Sequence, residues 1–369
     1  MALGCSAGVA YAGNMFTLFL FYEALTLTTY PLVTHSGTPE SRKSGRIYLG
    51  VLLATSIMFQ LLAMLWTWVE VESLDFVPGG LLSGKVADST MMALFILYIF
   101  GVGKAAIMPF HRWLPAAMVA PAPVSALLHA VAVVKAGVFT ILKLSLYLFG
   151  LETISGAASG SWLIFVAGFT IIVASVIAFR QDNLKMRLAY STIGQLSYVV
   201  LAAALANTQA FTAGTFHIAA HAFGKITLFF CAGAIYTATG KTKVSELSGI
   251  GRKMPITFIA FAAASLVMIG LPPSSGFITK WYLVNGALKS ESWFSIIVIL
   301  GGTLLAAGYL IPIVLSSFFG TSNFIQDNKN SISNKNFQIP KSQVIALSIT
   351  AILAIGLFAY PNIVLNLAK

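Results

Sequence analysis

The sequence predicts an all-α integral membrane protein of about ten spanning helices. Three observations carry this. Of 369 residues, 58% are hydrophobic and 9% charged, against roughly 25% charged in a soluble domain. Mean hydropathy is +0.87. Apolar runs of the about 20 residues that cross a bilayer follow one another, separated by short polar punctuation. The two cysteines, Cys5 and Cys231, both lie in apolar segments, which argues against a disulfide framework. A net charge of +11 would suggest nucleic acid for a soluble chain; here membrane topology accounts for it.

The spans run over 14–34, 45–69, 90–110, 122–149, 160–180, 186–206, 210–239, 255–287, 292–318 and 342–361. Residues 1–13 are apolar but too short to span, and lack the basic start of a signal peptide. They read as a helix end, or as the second half of a span whose beginning is absent. The first span carries Glu23. The third carries Lys104 and a predicted break at Met108-Pro109, because proline supplies no amide hydrogen to the ladder. Pro115, Pro121 and Pro123 then stiffen the connection to the fourth span, which holds His129, Lys135 and Lys143. Between the fifth and sixth, RQDNLKMR places Lys185 and Arg187 at a helix start that Asp182 is expected to cap. The seventh holds His217, His221 and Lys225. The eighth is long enough for a broken helix, interrupted by Gly270-Leu271-Pro272-Pro273 and Gly276 and resuming through Lys280. Residues 320–341 are rich in Asn, Ser and Lys and read as a flexible loop before the last span.

Charge gives the orientation. Alternate loops hold 14 basic residues: Arg42, Lys43, Arg46, Arg112, Arg180, Lys185, Arg187, Lys241, Lys243, Arg252, Lys253, Lys329, Lys335 and Lys341. The opposite side has Lys85, Lys289 and Lys369 beside several acids, such as Asp75 and Glu152. By the positive-inside rule the basic loops are cytoplasmic. Adding or dropping one span would scramble the alternation.

The ionisable groups inside the spans are the candidate functional residues. A lysine at mid-bilayer costs about 2.5–3.5 kcal/mol on insertion scales, so such groups face a bundle interior or hydrated cavity, where they carry ions or protons. Glu23 needs a lysine partner to stay ionised. Lys104 lies beside a break, where freed carbonyls are tolerated only against protein or water. Lys135 is too central to snorkel; Lys143, near the outer end, reads as an anchor. His129 lies on a different face from Lys135, so a relay between them needs water or another helix. His217, His221 and Lys225 follow i, i+4, i+8 spacing and form one stripe. HxxxH is also a zinc spacing, but this helix has no acid to complete a site and Lys225 would repel the metal. A proton relay through neutral imidazoles is favoured; no metal or cofactor is expected. A break flanked by lysine occurs at both Lys104 and Lys280, as in repeat-built transporters.

Together, NMFTLFLFYEALTL, GKAAIMPFHRWLPAAMVAPAPVSALLHA, DNLKMRLAYSTIGQLSY, HAFGK and GLPPSSGF resemble the proton-conducting membrane subunits of respiratory complex I and of Mrp-type cation/proton antiporters. The resemblance implies two inverted five-helix repeats, each with a broken helix: 1–150, 151–320, then a loop and final helix over 321–369. It implies that Glu23 pairs with Lys104, that Lys135 leads to a central relay of Lys225, His217 and His221, and that Lys280 is the terminal group. Family members usually carry about three helices, and the whole of a fourth, ahead of the Glu23 region, so residues 1–13 correspond to a stub of that fourth helix. The implied function is a proton-translocating subunit of a multisubunit monovalent cation/proton antiporter in the cell inner (plasma) membrane. Its expected partners are other membrane subunits, the lipid bilayer and protons, with sodium left open as the exchanged ion and no nucleic acid. The same module could serve a complex I-type or membrane-hydrogenase redox pump; a non-transporting scaffold is the third reading, for which the buried charges have no use.

Overall fold

The computed structural model describes residues 1–156, 160–321 and 339–366. The loop expected over 320–341, with Lys329 and Lys335, falls largely outside the described residues, as does Lys369. In chain order the principal helices are α1 (Ala2–Tyr11), α2 (Met15–Val33), α3 (Pro39–Val71), α4 (Asp88–Gly101), α5 (Ala122–Phe149) and α6 (Ser161–Arg180). They continue with α7 (Leu184–Leu205), α8 (Thr208–Thr239), α9 (Pro255–Ile269), α10 (Ser275–Lys289), α11 (Trp293–Phe319) and α12 (Lys341–Ala359). Among the described residues, eight of these are long and apolar enough to cross a membrane: α2, α3, α5–α8, α11 and α12. The remaining two spans are the broken ones, α4 with the segment after it and α9 with α10. The chain is a multi-pass membrane protein.

Asparagine side chains start several helices by accepting from backbone N–H groups that have no partner within the helix. Asn14 caps α2 through Thr17 N at 2.8 Å, Asn183 caps α7 through Met186 N at 3.1 Å, and Asn207 caps α8 through Ala210 N at 2.9 Å. The cap of α7 is thus Asn183 rather than Asp182. Asp182 instead ties α7 to the loop after α8, accepting from Ser245 N and Oγ, both at 2.9 Å. These bonds hold its carboxyl below the usual carboxylate range.

The centre of the bundle is α7, which is almost wholly buried, whereas α2 and α12 expose most of their surface. It packs against α6 on one side and α8 on the other. The residues with the least access to lipid are therefore on α7 and on the faces of α5 and α8 turned toward it.

Both breaks are present, but the first lies ahead of the proline that predicted it. The α-helical ladder of α4 stops at Gly101; Gly103–Ala105 form one 3₁₀ turn, and Ala106 is left-handed at φ 56°. Lys104 is inside the break, not a turn before it. The helix passes close to α3 at its end, where only glycine fits: a Cβ on Gly101 would stand 2.5 Å from the backbone nitrogen of Gln60. In the second break α9 ends at Ile269, Gly270 is left-handed at φ 81°, and α10 begins after Ser274. Gly276 is required there, because a Cβ would collide with the Val267 carbonyl oxygen.

Candidate functional site: a buried line of ionisable groups

Breaking a helix frees carbonyls and N–H groups that must find partners. At the first break, Trp113 Nε1 donates to Gly103 O at 2.9 Å, and Lys104 N donates to the Tyr22 hydroxyl at 3.0 Å. At the second, Gln195 Nε2 donates to Met268 O at 3.0 Å and Lys280 Nζ to Ile269 O at 2.7 Å. The two lysines thus belong to the architecture of the breaks.

Lys104 is fully buried. Its Nζ donates to Tyr22 O at 2.7 Å, sits 3.1 Å from the centre of the Tyr22 ring, and lies 3.9 Å from Glu23 Oε1. The acid and lysine expected to pair are therefore together, held by charge rather than by a hydrogen bond. Both Glu23 carboxylate oxygens are buried without a hydrogen-bond partner.

Lys135 reaches from α5 to α8, where its Nζ meets His221 Nδ1 at 2.7 Å. The His221 and His217 rings are 5.7 Å apart. His129 lies in a π-helical turn, Leu127–Val131, with its ring 5.2 Å from that of Phe229. Both nitrogens of His129 and His217, and Nε2 of His221, are buried without a protein hydrogen bond.

The α8 stripe divides. Eight residues carry a side chain about 80° around a helix of 3.6 residues per turn, so Lys225 points away from His217. Its Nζ donates to Leu188 O at 3.1 Å and Ser191 Oγ at 2.7 Å on α7, and Tyr309 of α11 donates to the same Ser191 oxygen at 2.8 Å. Lys225 nevertheless remains in electrostatic range of His221, along with Lys135, His217 and His129.

Lys280 completes the line. Its Nζ contacts Ile269 O at 2.7 Å and Thr303 Oγ1 at 2.6 Å, and stands 5.1 Å from the Tyr198 ring centre. The Tyr198 ring is 6.1 Å from that of His217. From Lys280 the groups therefore follow as Tyr198, His217, His221 with Lys135, then Lys225 and His129. His129 is also in electrostatic range of Lys185, which donates to Met118 O and Ala120 O and lines a cavity of ≈ 690 Å³ with Glu40, Pro115, Tyr236 and Lys241 on the basic-loop face. The Glu23–Lys104 pair adjoins the line through packing: Gly137, two residues beyond Lys135, lies against the backbone of Lys104 and Ala105.

Lys143 stands outside the line, donating to Ala10 O and Ala12 O at the end of α1 at 3.0 and 2.6 Å. No cluster of three or more His, Cys, Asp or Glu that could hold a metal occurs among the described residues.

Residues 12–306 match the family of the transmembrane segment shared by NADH:quinone oxidoreductases and Mrp antiporters. The chain belongs to this family. It is 34% identical over 316 residues to NADH-quinone oxidoreductase subunit N of Desulforudis audaxviator, covering 84% of this chain and 62% of that protein. It is 32% identical over 294 residues to a probable K(+)/H(+) antiporter subunit of Rhizobium meliloti, covering 78% and 29%. The fold matches a chain of the Mrp complex from a Dietzia species with a TM-score of 0.86 at 20% identity, over 100% of this chain and 75% of that one. The chain thus spans under two-thirds of the length of these two sequence relatives.

Sequence reasoning missed Tyr198, Thr303, Ser191 and Tyr309. A signal existed for α7: Ser191, Gln195 and Tyr198 fall at i, i+4 and i+7, a polar stripe inside an apolar span. Thr303 and Tyr309 give no such signal, since their roles depend on how α11 meets α7 and α10.

Proposed function

We propose that this chain is a proton-translocating subunit of a multisubunit monovalent cation/proton antiporter of the plasma membrane, with the basic loops cytoplasmic. The observation carrying the proposal is the line from Lys280 through His217, His221 and Lys135 to Lys225 and His129. It crosses from the second break to the first half of the bundle through buried groups that exchange protons. Imidazole nitrogens without protein partners favour this reading, because buried polar atoms are served by protein or by ordered water, and water joined to imidazole and amine is a proton path. Glu23 and Lys104 act as the charge pair whose closing and opening drives protons along the line; His129 and Lys225 connect it toward the Lys185 cavity. Residues 1–150 and 151–320 form the two halves, with residues 321–369 as the appended loop and helix, and other membrane subunits supply the remaining transport path.

The test is purification of the complex, identification of its subunits by mass spectrometry, and reconstitution into vesicles with a pH-sensitive dye. A sodium or potassium pulse should move protons. Its failure, with redox subunits co-purifying and proton movement only when a quinone is reduced, would replace the antiporter by the redox-driven reading. The 34% identity to an NADH-quinone oxidoreductase subunit favours that second reading.

A further inference from the structure

An ammonium group has three N–H donors, and when buried each needs an acceptor. At Lys280 two acceptors are oxygens, Ile269 O and Thr303 Oγ1. The third direction is occupied by the face of Tyr198, with the nitrogen 5.1 Å from the ring centre, inside the roughly 6 Å over which an aromatic quadrupole attracts a cation. Lys104 is seated in the same way at the other break: a backbone carbonyl (Tyr22 O at 2.7 Å), a tyrosine face (Tyr22 at 3.1 Å) and a side-chain oxygen (Glu23 Oε1 at 3.9 Å). The two seats share a design, with the Thr303 hydroxyl where the first has the Glu23 carboxylate.

Tyr198 also occupies the gap between Lys280 and the histidines. Its ring faces His217 at 6.1 Å, and His217 is in electrostatic range of Lys280. Its hydroxyl is buried without a hydrogen bond of good geometry and lies against Gly302 and Thr303 of α11, so what this side chain turns toward Lys280 is its ring.

We propose that Tyr198 is a positioning residue of the translocation path, its ring face holding the Lys280 ammonium beside His217 in place of the carboxylate that holds Lys104. The second seat therefore retains a charged lysine without a fixed counter-ion. The inference rests on Lys280 being a proton-transfer group.

The experiment uses the whole complex in vesicles. At position 198, Tyr198→Phe should transport as the wild type does, because the ring face remains, and Tyr198→Leu should lose most transport. Replacing Tyr198 by phenylalanine carrying one, two and three fluorines leaves shape nearly unchanged while weakening the ring quadrupole, so folding does not confuse the result. Transport should fall stepwise along the series, to about a tenth with three fluorines. A flat series, or Tyr198→Phe as inactive as Tyr198→Leu, overturns the seat. Lys280→Ala separates this failure from that of the underlying reading: if it transports normally Lys280 is no carrier, whereas a flat series beside an inactive Lys280→Ala removes the seat alone.

Discussion

Glu23→Gln removes one charge and almost no volume, which makes it the sharpest test of the charge pair. At 3.9 Å and an effective permittivity of about 20, two unit charges attract by about 4 kcal/mol. That corresponds to about a thousandfold in the equilibrium between the paired and separated arrangements, at about 1.4 kcal/mol for each factor of ten. No hydrogen bond is lost, since the carboxylate oxygens have no partner. Lys104 keeps its bond to Tyr22 O and its place over the Tyr22 ring, so the fold and assembly should survive. The assay is cation-driven proton movement in vesicles, with size-exclusion profiles of the purified complex as the control. Transport should fall to the leak rate while the profile is unchanged, and Glu23→Asp, which keeps the charge on a shorter arm, should retain part of it. Wild-type transport by Glu23→Gln would refute the charge-pair switch, because the only contribution of that side chain to the site is its charge.

The other predictions follow from the same geometry. Lys280→Arg should be as inactive as Lys280→Ala, because a guanidinium stays charged and releases no proton; full activity of the arginine variant would make Lys280 an electrostatic post. Lys225→Ala should be more damaging than His217→Ala or His221→Ala, since water can stand in for one imidazole, and rates measured side by side decide this. The zinc alternative makes a separate forecast: one tightly bound zinc per copy of the chain, lost in His217→Ala by elemental analysis, would replace the relay with a structural metal. Gly276→Ala should lower the thermal unfolding midpoint in detergent, by about 1–3 kcal/mol of stability, because the added methyl meets the backbone oxygen of Val267 rather than a movable side chain. An unchanged midpoint would show that the second break relaxes freely.

Much of the site is legible in the sequence for one physical reason: charge is so costly in an apolar span that every buried Lys or Glu marks a contact the fold must provide. Glu23 and Lys104 are 81 residues apart and meet at 3.9 Å; Lys135 and His221 are joined across 86 residues. The Pro–Pro and glycine run locates the second break. Pro109 draws the first too far along the chain: the ladder already ends at Gly101, packed close on α3, and helix-to-helix approach leaves no local pattern. Spacing alone makes His217, His221 and Lys225 one continuous stripe, but helical drift turns Lys225 to Ser191 and Tyr309. Neutral partners stay hidden, since a threonine such as Thr303 in an apolar helix ordinarily bonds to its own backbone, as Thr303 also does to Ile299 O at 2.7 Å.

The difference between the two lysine seats bears on the direction of coupling. Lys104 has a carboxylate within reach, so its charge is compensated and the pair as a whole is neutral. Lys280 has a carbonyl, a hydroxyl and a ring face, all neutral; on the proposed function its positive charge is therefore felt along the line, where His217 is in electrostatic range. On that reading a proton arriving at the histidines is repelled by a charged Lys280 and admitted once Lys280 has discharged. Opening the Glu23–Lys104 pair then exposes a second uncompensated positive charge, in the helix break that packs on Gly137. On the proposed function the line thus carries a dischargeable positive charge at one end and a switchable one at the other, and protons move when the two are not present together. An anchored acid near Lys280 would defeat this by compensating its charge permanently, so Thr303→Asp should block transport more severely than Thr303→Val, although the aspartate strengthens the lysine's seat. Equal activity of the two variants in the vesicle assay would show that the charge of Lys280 does not act on the line.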